Sequence, residues 1–157
     1  MEYLIIKWLH IVASTLLFGT GIGSAFYLLL SSYSREPMAV AVVARIVVIA
    51  DWLFTATTVV AQPLTGYWLM RLMGLDLSAI WLRWSITLYV IAVACWLPVV
   101  WLQIRLRDIA ANAARQRQPL PPTYWHYFRI WVALGFPAFF AFLAVFYLMV
   151  AKPETLF

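Results

Sequence analysis

The sequence predicts an all-α fold, a single domain built as a bundle of four transmembrane helices. Of the 157 residues, 66% are hydrophobic and only 11% are charged. This leaves too little charge to cover the surface of a soluble domain of this size. Four apolar runs also reach the length of about 20 residues that a helix needs to cross a bilayer. These runs are Tyr3–Leu30, Val40–Met70, Ala79–Leu102 and Phe128–Val150.

The first run has two distinctive faces. His10 lies on one face, whereas Gly19 and Gly23 lie on the other, about half a turn away. Small residues four apart allow a neighbouring helix to approach closely. We therefore predict a helix-packing surface at Gly19 and Gly23. Because both faces have the character of protein contacts, we also expect a homo-oligomer or a larger membrane complex.

The second run carries a line of polar side chains, here called the polar stripe. At about 100° per residue its members share one helix face. A charged group at membrane depth usually faces a protein interior or a wet cavity. Two interpretations stay open: a structural bond to a neighbouring helix or to Arg45, or a proton path or headgroup site. The polar stripe consists of Asp51, Thr55, Thr58, Gln62 and Thr65.

Pro63 lies within the polar stripe and predicts a local distortion of the second helix. Proline removes a backbone donor and clashes with the preceding turn, so we expect a kink near residues 59–62. The carbonyl groups that it frees need partners from glutamine, threonine or water.

The last two runs are separated by the longest polar stretch of the chain. Its first part, Ile104–Gln116, is predicted to extend the third helix beyond the membrane, and the prolines at 119–122 end it. The fourth helix then begins near Phe128.

The distribution of cations predicts the orientation. Positive charge is concentrated on cytoplasmic loops, which places the first and third loops inside and both termini outside. The net charge of +5 is explained by anionic lipid beside those loops, so the bilayer is the expected partner and no nucleic acid is needed. The first and third loops and their flanks hold Arg35, Arg45, Arg105, Arg107, Arg115, Arg117 and Arg129, against Lys7, Arg71, Arg83 and Lys152 on the opposite side.

Two histidines raise the question of haem. His10 and His126 lie at opposite membrane faces, so one iron cannot bind both within a chain. His10 alone could hold the iron of haem b, with Met70 or Met149 as a second ligand and Arg83 beside a propionate. The alternative is that His10 only forms a hydrogen bond to a neighbouring helix.

Motifs of soluble enzymes are absent from the sequence. It contains no Walker loop, no CxxC and no HExxH, and no Ser-His-Asp pattern. Catalytic residues therefore stay unassigned.

Several segments resemble the DUF2269 family of small bacterial integral membrane proteins. The resemblance spans nearly the whole chain and implies a multi-pass protein of the bacterial inner membrane, without implying an activity. The segments are KWLH at 7–10, FGTG at 18–21, ADWLF at 50–54, QPLTG at 62–66, LGFPAF at 134–139 and LMVAKP at 148–153.

The segment at 7–10 is also similar to the start of HemJ-type protoporphyrinogen oxidases, whose corresponding histidine is linked to haem. Those proteins carry a lysine after a Trp-Leu pair in the third helix, where this chain has Ser85. Only His10 therefore matches.

Three functional hypotheses follow. The leading one is a non-catalytic membrane protein that binds a small redox or lipid-like ligand, with haem b as one candidate, in an outer-leaflet pocket around His10. The second is a HemJ-like porphyrin oxidase, and the third is an accessory subunit of a larger membrane complex.

Overall fold

The computed structural model describes residues 1–153, and the secondary structure of these residues is helical throughout. Four helices are long and apolar enough to cross a membrane, which confirms the predicted all-α membrane fold. They are α1 (Glu2–Tyr33), α2 (Pro37–Leu72), α3 (Ile80–Gln116) and α4 (Pro122–Ala151).

The helices extend beyond the apolar runs of the sequence. With 37 residues, α3 is about 55 Å long, whereas the hydrocarbon core measures about 30 Å. The segment at 104–116 continues the helix, and α4 begins at Pro122, six residues before the apolar run. Arg117 ends α3 in the left-handed conformation, with φ 53°. The Gln118 amide then donates to the Ala113 carbonyl at 3.0 Å, which satisfies one of the last free carbonyl groups.

Short connections make sequential helices antiparallel and define two ends of the bundle. The loops at 34–36 and 117–121 lie at one end, here called the basic end because most of the arginines flank it. The loop at 73–79 lies at the other, together with Met1 and Lys152. This end is called the His10 end, after the histidine on the third turn of α1.

The apolar core is concentrated toward the basic end. There α3 packs extensively against α4 and against the first half of α2. A buried hydrogen bond of 2.6 Å joins Ser32 of α1 to Tyr124 of α4; the tyrosine hydroxyl donates, because the serine hydroxyl already donates to the Leu28 carbonyl. The buried apolar cluster consists of Leu28, Val40, Ala44, Val47, Leu102, Leu106, Ala110, Ala113, Leu120, Tyr124, Phe128 and Trp131.

The His10 half has a different interior. Here α1 packs against the second half of α2, and its contact with α4 is slight. In this half the helices thus form two pairs, α1 with α2 and α3 with α4. Many of the buried side chains of this half are small or polar, which gives it a more polar interior than the basic half. Among them are Ala13, Thr58, Gln62, Ser85, Ala92 and Ala141.

Candidate functional site

The polar stripe faces the protein interior. Its first four members are at most 8% exposed, and the fifth, Thr65, is half-buried. Burial on one helix face follows from the spacing of three and four residues, because these side chains are neighbours along the helix. The side chains do not form one continuous chain of hydrogen bonds, however. The stripe divides into an Asp51 part and a His10 part.

The Asp51 part lies on an irregular turn. Asp51–Thr55 forms a five-residue π-helical turn within α2, a feature that often occurs at functional sites. The Thr55 hydroxyl donates to Asp51 Oδ1 at 3.0 Å. Gln103 of α3 lies beside the Asp51 carboxyl group, and its side-chain oxygen Oε1 is buried without a partner among the described residues. The carboxyl group thus lies close to α3, near the apolar cluster of the basic half.

The middle of the stripe is bonded to the backbone. The Thr58 hydroxyl donates to the Phe54 carbonyl at 2.6 Å, one turn earlier in the same helix. This bond uses the only proton of the hydroxyl group. The described side chains therefore provide no hydrogen-bonded path from Asp51 to Gln62.

The surroundings of Pro63 correct one expectation. Pro63 lies within the helical segment Ala56–Leu72, separate from the π-helical turn at Asp51–Thr55, and the kink expected near residues 59–62 stays a prediction. The carbonyl that Pro63 frees belongs to Val59, four residues earlier. Its partner is the hydroxyl group of Tyr89 on α3, which donates at 2.6 Å. The expected glutamine, threonine or water partner is thus replaced by a tyrosine that joins the two helix pairs.

The His10 part brings α1 and α2 together. His10 Nδ1 lies 2.8 Å from Thr65 Oγ1. The threonine hydroxyl also lies 2.7 Å from the Ala61 carbonyl, to which it donates when the histidine is the donor in this pair. In that arrangement the proton is on Nδ1 and Nε2 keeps its lone pair.

Gly66 provides the space for the imidazole ring. A Cβ atom at this position would lie 3.3 Å from His10 Cε1, closer than most real Cβ contacts. The ring therefore packs against the backbone of α2 one residue beyond the threonine that it binds. The hydrogen bond at Nδ1 and the close packing at the adjacent Cε1 hold the same edge of the ring against α2.

Gln62 completes the polar surroundings of His10. It lies one turn before Gly66 on the same helix face, and its backbone carbonyl is within reach of the His10 ring. Its side chain is only 8% exposed. The side-chain oxygen Oε1 is buried and has no partner among the described residues. Buried polar atoms are nearly always bonded, and Gln62 Oε1 shares the lack of a partner with Gln103 Oε1 and with the indole nitrogens of Trp96 and Trp131.

Aromatic rings lie deeper in the same half. Phe18 of α1 contacts three phenylalanines of α4, with ring centroids 5.1 to 6.3 Å apart. Tyr89 of α3 contacts one of them at 6.3 Å. These rings bridge the two helix pairs at the level of the Val59–Tyr89 bond. The phenylalanines of α4 are Phe139, Phe142 and Phe146.

The other predicted haem residues are not joined to His10 by a described contact. Met70 lies on the same face of α2 as Gly66, one turn closer to the helix end. Met149 is half-buried near the end of α4, and Arg83 is exposed in the first turn of α3. Their roles stay predictions. No group of three or more His, Cys, Asp or Glu side chains placed to bind a metal occurs within residues 1–153.

Gly19 and Gly23 make no close contact with another helix of the described chain. Nothing lies within 4 Å of a Cβ at Gly19, and only Tyr27 of the same helix does so at Gly23. The close helix approach in the chain occurs at Gly66 instead. The packing surface predicted at Gly19 and Gly23 is thus not used within the described chain, and its role stays a prediction.

Three residues of the site could not be assigned a role from the sequence alone. Tyr89 and Gln103 lie on α3, and no periodic pattern connects them to the polar stripe. Gly66 was visible only as part of the Pro63 distortion. One signal was present for Tyr89: a tyrosine within an apolar run usually needs a partner for its hydroxyl group.

Comparison with known proteins identifies the family. The model of DUF2269, described as a predicted integral membrane protein, matches residues 4–153. No curated protein and no solved structure matches the chain. The matched region includes α2, α3 and α4 in full, α1 from its third residue, and every residue of the site described above. The chain therefore belongs to the DUF2269 family of predicted integral membrane proteins.

Proposed function

We propose that this protein binds a small amphipathic molecule, a redox cofactor such as haem b or a lipid-like compound, with its polar group held by His10 and Gln62. The observation that carries the proposal is the buried Gln62 Oε1, which has no partner. An unsatisfied buried acceptor costs about 1–3 kcal/mol, and a ligand that donates a hydrogen bond removes that cost.

His10 supports the proposal from the opposite helix. Thr65 and Gly66 hold the ring at its Nδ1 and Cε1 atoms. With the proton on Nδ1, Nε2 is free to accept a proton or to coordinate a metal. A histidine that binds a metal through one ring nitrogen usually donates a hydrogen bond from the N–H of the other to a protein oxygen. The Nδ1 of His10 is placed to do this with Thr65. The interaction with α2 is therefore compatible with both a structural and a binding role.

The surroundings suit a molecule that enters from the bilayer. Phe18 and its aromatic partners offer apolar contacts below the polar groups, and small side chains such as Ala13 and Ser85 border the same interior. The predicted orientation in a bacterial inner membrane puts the first and third loops in the cytoplasm. In that orientation the His10 half of the bundle lies in the outer leaflet.

Haem b is the cofactor that we propose for His10. The imidazole would hold the iron through Nε2, and haem would supply one-electron redox chemistry when bound. The chain itself would hold the imidazole orientation through Thr65 and exclude water through the aromatic rings. Ser85, at the position of the HemJ-type lysine, donates its hydroxyl proton to the Trp81 carbonyl at 2.7 Å. It therefore offers no support for the oxidase hypothesis.

The thermal stability of the Gln62→Leu variant tests this proposal. In a protein without ligand, leucine removes an unsatisfied acceptor and should raise stability or leave it unchanged. In a protein that carries its ligand, the same change removes a hydrogen bond and should lower stability by about 1–3 kcal/mol. We expect the variant, purified in mild detergent, to melt below the wild type.

The control is the same pair of proteins after ligand has been stripped by harsh detergent and refolding. There the difference should vanish or reverse. A Gln62→Leu variant that melts at or above the wild type in both preparations would contradict the proposal.

A further inference from the structure

The basic end contains a groove between α2 and α3 that is separate from the His10 site. Its volume is about 390 Å³. Ala41 and Ala111, both small, allow the groove to form between the helices. Three arginines line it: Arg45 from α2, and Arg107 and Arg115 from α3.

The groove holds an excess of positive charge. Arg107 is paired with the adjacent Asp108, with N···O distances of 2.8 Å for both its Nη2 and Nε atoms. This is the one salt bridge within residues 1–153. Arg45 and Arg115 thus have no carboxylate partner in that part of the chain, which leaves two uncompensated charges in one groove.

The depth of Arg45 is the second observation. It lies eight residues after Pro37, about 12 Å along α2, and is the only charged residue between Glu36 and Asp51. A cation at this depth is costly unless its side chain reaches the headgroup level or finds an anion. The groove places the Arg45 side chain near Arg107 and Arg115. An anion bound in the groove would compensate their positive charge.

We infer that this groove binds a phosphate group, and that the phosphate belongs to the headgroup of an anionic phospholipid. Arginine binds phosphate through several parallel hydrogen bonds, and two or three arginines on facing helices can surround one phosphate. Asp108, which also lines the groove, accepts hydrogen bonds from the Nε and Nη2 atoms of Arg107 and leaves its remaining donors available.

The surface beside the groove favours a lipid over free phosphate. Val42 lines the groove, and Ile46 and Ile49 follow it on α2 toward the middle of the membrane. These three side chains are 52 to 60% exposed. Spacings of four and three residues place them on one helix face. A phospholipid with its phosphate in the groove would lay its acyl chains along this apolar face.

The test measures retained lipid by native mass spectrometry. The whole chain is reconstituted in nanodiscs of equal parts phosphatidylglycerol and phosphatidylcholine, then released into mild detergent. We expect the wild type to retain phosphatidylglycerol in preference to phosphatidylcholine. The Arg45→Gln/Arg115→Gln double variant should lose this preference by about tenfold or more, because it loses two charge-assisted contacts.

Two controls separate a specific site from general charge. Arg105→Gln removes one charge from the same helix, but its guanidinium group stacks on Trp101 and does not line the groove. Its lipid retention should match the wild type. The single variants Arg45→Gln and Arg115→Gln, which alter exposed side chains, should each give an intermediate loss and keep the inference testable if the double variant misfolds.

Titration of the retained lipid with inorganic phosphate identifies the source of the phosphate group. Persistence of the lipid supports a lipid headgroup, whereas its displacement at millimolar phosphate supports a site for soluble phosphate. Equal retention of both lipids by the wild type would overturn the inference. So would an equal loss in Arg105→Gln and in the double variant.

Discussion

Replacing Gly66 by leucine is expected to separate His10 from Thr65 and to abolish ligand binding at the His10 end. A Cβ atom alone would lie 3.3 Å from His10 Cε1, and leucine adds three more carbon atoms in the same space. Either the imidazole ring rotates, which breaks its 2.8 Å hydrogen bond, or α1 moves away from α2. Overpacking of this kind costs about 1–3 kcal/mol.

Unfolding in detergent and the amount of co-purified ligand measure the two effects. Gly135→Leu is the matched control, because nothing in the described chain lies within 4 Å of a Cβ at that position. It should change stability by no more than about 0.5 kcal/mol. A Gly66→Leu protein that keeps both the stability and the ligand of the wild type would show that the close contact with His10 is not required.

The second large effect is expected in the apolar cluster of the basic half. Leu106 is fully buried there, and leucine-to-alanine changes at such positions cost about 2–5 kcal/mol through lost packing and a residual cavity. We therefore expect Leu106→Ala to lower the free energy of unfolding by this amount. Unfolding equilibria in mixed micelles provide the measurement.

Leu82→Ala is the comparison in the His10 half. Leu82 is nearly as buried, at 8% exposed, but lies outside that cluster. Leu82→Ala should lower the free energy of unfolding by clearly less than Leu106→Ala, because fewer large apolar side chains surround Leu82. A cost at Leu82 equal to or greater than that at Leu106 would contradict the unequal distribution of the core.

Much of the fold could be predicted from the sequence, because membrane helices depend on a local property. Four apolar runs of sufficient length specify four helices, and three short connections specify antiparallel neighbours. The ends of the helices were predicted less accurately than their number and direction. The segment at 104–116 and the start of α4 are polar or mixed, so hydropathy gives no sharp boundary there, and only Pro122 and Arg117 mark the turns.

Part of the candidate site could also be predicted from the sequence, because helical periodicity is a local property. Helical periodicity places Asp51 and Gln62 on one face of α2, and the structure buries both. Contacts between helices are not encoded in that periodicity. The partner of the Val59 carbonyl is Tyr89, 30 residues away, and the residue that accommodates His10 is Gly66, 56 residues away. Such pairs depend on the rotation and register of separate helices.

The ligand itself gives the most direct test of the proposed function. The measurement is the absorption spectrum of the protein purified in mild detergent from haem-replete cells, followed by mass spectrometry of the extracted small molecules. We expect one compound in stoichiometric amount, with a Soret band where that compound is haem b. His10→Ala should lose the compound, whereas His126→Ala should keep it, because His126 is exposed at the basic end. A wild type that contains no such compound, or a His10→Ala variant that retains it in full, would contradict the proposal.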